Sequence, residues 1–168
     1  MPAKQPLPDA EQLLASLIDR MRPAVGPNTG LVGIHTGGVW LAERLHQALG
    51  IQLPLGTLDI SFYRDDFSKK GLRRNLKSSD IPFDIDGCAV VIVDDVLSTG
   101  RTIRAAMNEL FDYGRPASIR LAALVDRGGR ELPVAADFTG ARIVIGPDER
   151  VELARDAQGK LSLRLGGD

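Results

Sequence analysis

The stretch Val90–Thr102, VVIVDDVLSTGRT, decides how the rest of the chain is read. Four branched aliphatic residues lead into two adjacent acids, and a turn of Ser, Thr and Gly follows. An unbroken branched run fits a strand buried on both faces, as in a parallel sheet. Neighbouring carboxylates repel and Asp is a poor strand former, so the strand VVIV, 90–93, is expected to end at Asp94 and Asp95. A helix is expected from about Thr102 to Tyr113, ended by Gly114 and blocked from continuing by Pro116. Between strand and helix, small residues let backbone N–H groups turn inward. The positive end of the helix, those N–H groups and the hydroxyls together favour a phosphate. Two carboxylates are unfavourable beside a phosphate alone. They make sense if the ligand also brings sugar hydroxyls or a divalent cation. A ribose 5-phosphate satisfies both halves of the stretch.

The same alternation of strand, loop and helix extends outward. DAEQLLASLIDRMR, residues 9–22, has apolar residues at helical spacing with Asp9 as N-cap. LVGI, 31–34, is a short buried strand. His35-Thr36-Gly37-Gly38 is a tight loop, and 39–49 is an amphipathic helix closed by Gly50. Residues 52–63 read as extended. Residues 64–80, with six Lys/Arg, read as a loop or exposed ribbon. SIRLAALV, 118–125, and ARIVIG, 141–146, are further strands, and 151–165 is a closing hairpin turned at Gln158-Gly159. The pattern predicts an α/β fold, a mostly parallel sheet covered on both faces. Ligands in such sheets bind at the carboxyl ends of the strands, where loops 35–38, 94–102 and 126–130 are expected to converge.

Composition bounds the alternatives. The 168 residues carry 43% hydrophobic and 26% charged residues, fitting one ordinary domain, with residues 1–8 loose. No apolar run is long enough to cross a bilayer and the N-terminus lacks a signal-peptide core, so the protein is expected in the cytoplasm, with no membrane partner. A net charge of −1 and a pI near 6.1 argue against a dedicated nucleic-acid binder. A single cysteine, Cys88, excludes an internal disulfide and a Cys-rich metal site. The P-loop pattern G-x-x-x-x-G-K-S/T is absent, as is G-x-G-x-x-G after a strand.

The thirteen residues 90–102 resemble the PRPP-binding motif of the type I phosphoribosyltransferases. LDISFYRDD (58–66), IPFDIDG (81–87), YGRPASIRLAALVDRG (113–128) and RELP (130–133) narrow the resemblance to the PyrR family, over roughly residues 30–155. The resemblance implies the type I phosphoribosyltransferase fold and a uracil phosphoribosyltransferase, converting uracil and PRPP to UMP and pyrophosphate. It also implies Mg2+, bound mainly through PRPP, since no all-protein metal cage is visible. Asp94 and Asp95 would hold the ribose and support its positive charge. Val96, Leu97, Ser98, Thr99, Gly100, Arg101 and Thr102 would bind the 5-phosphate. His35, Thr36, Gly37 and Gly38 would bind pyrophosphate with Arg64, although many relatives have Thr-Arg-Gly where this chain has Thr36-Gly37-Gly38. Residues 64–80 match a flexible loop closing over the site. Val125, Asp126 and Arg127 would meet the base, partly through backbone; a strand-end ion pair between Asp126 and Arg127 is the competing reading. Ser98 stands where related purine enzymes carry an acid, which leans towards a pyrimidine. Members are usually homodimers or homotetramers, and in many bacteria they regulate the pyrimidine operon through pyr mRNA. Here the first helix lacks the family's RNA-binding pattern and Gly129 replaces a His, which weakens that expectation. The alternative to an enzyme is a UMP- or PRPP-sensing regulator with weak or no catalysis, acting as an RNA attenuator or through a protein partner.

Overall fold

The two branched runs that the sequence singles out lie side by side. A computed structural model describes residues 6–60 and 79–166. In it β1 (Thr29–Ile34) and β3 (Ala89–Leu97) are adjacent parallel strands, in register from Thr29 opposite Ala89 to Gly33 opposite Val93. β2 (Gly56–Leu58) flanks β1, and β4 (Ser118–Asp126) and β5 (Phe138–Arg142) continue beyond β3. The five-stranded sheet is parallel throughout, in the order β2-β1-β3-β4-β5. Helix α1 (Ala10–Met21) precedes β1, α2 (Gly37–Leu49) links β1 to β2, and α3 (Arg101–Phe111) links β3 to β4. An antiparallel hairpin, β6 (Arg150–Arg155) and β7 (Leu161–Gly166), ends the chain as described.

The strands β1, β3 and β4 bury both faces over most of their length, which is why their sequences read as runs. On one face Leu31, Val91, Val93 and Leu124 pack with Leu14 and Leu17 of α1, Leu41 and Leu45 of α2, and Leu153 and Leu161 of the hairpin. On the other, Val32, Ile34, Val90, Ile92 and Leu121 pack with Ile103, Ala106 and Leu110 of α3. Asp9 caps α1, its carboxylate accepting from Gln12 N at 3.0 Å. Gly50 ends α2 at φ 61°, a conformation that L side chains resist. Bidentate Arg44–Glu11 contacts of 3.1 and 2.8 Å, and Leu161 N donating to Glu11 at 3.3 Å, tie the hairpin to α1 and α2. Arg155 adds a cation–π contact, 4.7 Å above the Trp40 ring.

Several boundaries differ from the sequence reading. β3 does not stop before its acids. It runs to Leu97, because β4 is equally long and pairs with Asp94, Val96 and Leu97. α2 starts at Gly37, so the two glycines open the helix rather than end a loop. β5 covers 138–142 instead of 141–146, since its register is set by Ala122–Asp126 of β4; Val144 lies beyond it, fully exposed. Within the extended stretch 52–60 only Gly56–Leu58 is strand. The expected loose residues 1–5, and Arg64 with most of the expected flexible loop, lie outside the described residues. Ser79 and Asp80, at the end of that loop, are anchored: Asp80 bridges Thr57 of β2, and Ser79 Oγ accepts from Asp59 N at 3.0 Å. Among the described residues no helix is long and apolar enough to cross a membrane.

Candidate active site

The strand order creates a crevice. From β1 the chain leaves towards β2 on one side, while β3 lies on the other, so the loops after β1 and β3 separate at their carboxyl ends. Doubly wound sheets bind ligands at such a point. Two helices, α2 and α3, begin here, and neither N-cap residue, Thr36 or Gly100, makes a side-chain capping hydrogen bond. Their N-terminal N–H groups and dipoles make two electropositive ends on either side of the crevice.

Glycine lets the first of these ends approach β3. A Cβ on Gly37 would strike the Asp95 carboxylate, with Asp95 Cγ at 2.9 Å and Cβ at 3.1 Å. A Cβ on Gly38 would strike the Val93 carbonyl oxygen, with Asp94 Cα at 3.2 Å. With Asp95 as it stands, position 37 therefore accepts glycine alone. His35 N donates to Leu58 O at 3.0 Å, which fixes the start of this loop to β2, and the His35–Thr36 peptide is cis. Thr36 occupies the N-cap position, its carbonyl accepting from Val39 N and Trp40 N.

Both acids are organised by their own backbone. Asp95 N donates to Asp94 Oδ1 at 2.9 Å, and Val96 N donates to Asp95 Oδ1 at 2.8 Å. Asp94 is buried and Asp95 half-buried. Charged carboxylates held there, between two electropositive helix ends, suit a ligand that offers both anions and hydroxyl donors.

The loop after β3 is pinned from behind by residues 126–134. Arg127 N donates to Leu97 O at 3.0 Å, and Ser98 Oγ donates to Gly128 O at 3.2 Å. Glu131 N and Leu132 N both donate to Thr99 O, at 3.0 and 3.1 Å. Thr99 Oγ1 accepts from Arg101 N at 3.1 Å, so its hydroxyl proton stays directed elsewhere. Gly100 takes φ 93° at the helix start, closely backed by Leu132 and Val134. Thr102 lies in the first turn of α3. The Arg101 guanidinium faces Glu131 at 3.4 Å, both about half exposed, so it leans along the surface.

The third loop corrects one expectation. Asp126 pairs with Arg130, not with Arg127: Arg130 Nη1 and Nη2 donate to its two carboxylate oxygens at 3.0 and 2.7 Å. Asp126 Oδ1 also accepts from Gly128 N at 2.9 Å. The Arg130 hydrogen bond, with help from Gly128 N–H, holds the Asp126 carboxyl below its usual range against the opposing effect of burial. Arg127 Nε is buried without a partner. The structure thus brings together loops 35–38, 94–102 and 126–130 as the sequence suggests. Arg130 is the residue to which the sequence reading gave no part in the site. Its spacing of four from Asp126 across two glycines was the available signal.

Among the described residues no group of three or more His, Cys, Asp or Glu side chains is placed to hold a metal. A magnesium ion carried in on substrate phosphates and keeping several waters would need no such protein group.

Comparison with known proteins bears on the family and the fold. The family model for the phosphoribosyl transferase domain matches residues 6–152. The Bifunctional protein PyrR of Pseudomonas paraeruginosa is 52% identical over 155 residues, covering 90% of this chain and 91% of its own. The Pseudomonas fluorescens protein of that name is 47% identical over 163 residues, with coverage of 94% and 96%. Among solved structures, a hypoxanthine phosphoribosyltransferase from Staphylococcus aureus superposes with a TM-score of 0.66 at 21% identity, covering 84% of this chain and 78% of that one. A Trypanosoma cruzi hypoxanthine phosphoribosyl transferase gives 0.65 at 23%, covering 86% and 80%. At those identities the two structures speak for the fold.

Proposed function

This chain belongs to the phosphoribosyl transferase domain family, among its PyrR members, and from that premise we propose that it joins uracil to PRPP, releasing pyrophosphate and forming UMP. The observation that carries the reading is the pair of helix N-termini flanking two backbone-organised acids at the topological switch. The α3 end, with Thr99 and Thr102 hydroxyls, takes the 5-phosphate; the α2 end, through the amides of Gly37 and Gly38, takes the pyrophosphate. His35 and Thr36 complete that second loop, and Arg64 is its further cation. Asp94 and Asp95 hold the ribose hydroxyls.

As pyrophosphate leaves, the anomeric carbon gains positive character. Asp94 and Asp95 stabilise that charge, while the two helix ends keep sugar and leaving group apart and aligned, so that catalysis is positioning and electrostatics. When bound, magnesium neutralises charge on the departing diphosphate. Val125, Asp126 and Arg127 border the base. Because the Asp126 carboxylate is engaged by Arg130, the base is read through backbone groups there. Ser98 Oγ, turned to Gly128 O, offers no carboxylate to a purine ring. The bifunctional names of the relatives support a second role in regulating pyrimidine genes, with pyr mRNA as the partner. The same reading makes the protein a cytoplasmic homo-oligomer.

The test is transfer from PRPP with magnesium to labelled uracil, with guanine, hypoxanthine and orotate in parallel. Uracil-only turnover is expected, abolished in the Asp94→Asn/Asp95→Asn double variant while the fold survives. Turnover with a purine, or with no base at all despite UMP binding, would overturn the assignment and favour a sensor.

A further inference from the structure

Arg130 spends every nitrogen it has on three separate pieces of the chain. Nε donates to Val134 O at 2.6 Å, Nη1 to Ser98 O at 2.9 Å and Asp126 Oδ1 at 3.0 Å, and Nη2 to Asp126 Oδ2 at 2.7 Å. One planar guanidinium therefore joins the loop after β3, the end of β4 and the segment leading to β5. The fork of donors on Arg suits such simultaneous contacts, which a lysine ammonium cannot reproduce.

The consequence falls on the loop's amides. A trans peptide carries its C=O and the following N–H on opposite sides. Arg130 draws the Ser98 carbonyl towards 126–134, which turns the Thr99 N–H away from that segment. The next peptide is fixed in the same sense, because Thr99 O accepts from Glu131 N and Leu132 N. The Gly100 N–H is thereby turned away as well, and these two amides stand immediately before the start of α3.

We propose that Arg130 is the positioning residue of the 5-phosphate loop, holding the Ser98 and Thr99 carbonyls back so that the Thr99 and Gly100 amides face the phosphate. Arg130 touches no substrate; it acts through the backbone it aligns. This rests on the assignment of the 94–102 loop to the 5-phosphate. The Asp126 carboxylate is part of the device, since it orients the guanidinium from the opposite side.

Calorimetric dissociation constants for UMP and for uridine, which lacks the phosphate, separate positioning from general support. In the wild type UMP is expected to bind much more tightly than uridine. Arg130→Gln is expected to weaken UMP by about 10- to 100-fold, the range for impaired hydrogen bonds to a charged group, with uridine weakened far less, only through the freed Asp126 at the base. Arg130→Lys should fall in between, and it decides by the same ratio if the Gln variant does not fold. An unchanged UMP-to-uridine ratio would overturn the proposal, whether both affinities hold or both fall together. Wild-type protein with no preference for UMP over uridine would instead sink the phosphate assignment itself, and this inference with it.

Discussion

Replacing Gly37 and Gly38 separately by alanine should give two different failures, because the added methyls meet different kinds of atom. At Gly38 the methyl meets only β3 backbone: the Val93 carbonyl oxygen, the Val93 carbonyl carbon at 3.3 Å and Asp94 Cα at 3.2 Å. β3 is central, hydrogen-bonded to β1 on one side and β4 on the other, and cannot retreat. Overpacking of this kind costs up to about 3 kcal/mol, and the better helix propensity of alanine offsets up to about 1 kcal/mol. A net loss of about 2 kcal/mol lowers the melting temperature by about 4–8 °C in a protein of this size. At Gly37 the methyl meets the Asp95 side chain, which rotates aside for about 0.5–1.5 kcal/mol; the helix gain roughly cancels that. Gly37→Ala should therefore melt near the wild type yet lose most uracil transfer, since Asp95 leaves the position it needs. Thermal unfolding followed by circular dichroism, alongside steady-state transfer, reads both effects. Wild-type turnover in Gly37→Ala, or wild-type melting in Gly38→Ala, would refute the argument.

Three further outcomes follow from the same contacts. Thr99→Val removes a hydroxyl that accepts from Arg101 N and retains a proton for a phosphate oxygen, so calorimetry should find PRPP binding weakened by about 1–3 kcal/mol. Because Arg130 depresses the Asp126 carboxyl, that pair stabilises the fold above the ordinary carboxylate range, and the contribution fades as pH falls through the depressed value. Denaturation at several pH values should then show Asp126→Asn less stable than wild type at neutral pH, with the gap closing in acid. Glu11→Gln weakens the half-exposed pair with Arg44 that ties down the hairpin, and a loss of only about 0.2–1 kcal/mol is expected in urea unfolding, smaller still at high salt.

Much of this protein is local in origin. The branched runs in β1, β3 and β4, the helical spacing of α1, Asp9 as its cap and the left-handed Gly50 are each legible from a few neighbouring residues, because period and capping are short-range properties. The strand–turn–helix of residues 90–102 was legible for the same reason: strand, small residues and helix start occupy thirteen consecutive positions. What the tertiary structure alone decided involves partners far apart in the chain. That β3 continues through Asp94 and Asp95 depends on β4, about thirty residues on, offering a ladder of equal length. That Gly37 and Gly38 serve close approach rather than a turn depends on which strand lies beside β1. That Asp126 belongs to Arg130, and Arg130 to Ser98 thirty-two residues earlier, depends on how loop 126–134 folds under loop 94–102. Sequence spacing specifies which groups are available. The strand order and register determine which of them meet, because a parallel sheet joins elements through crossovers whose endpoints no local pattern records.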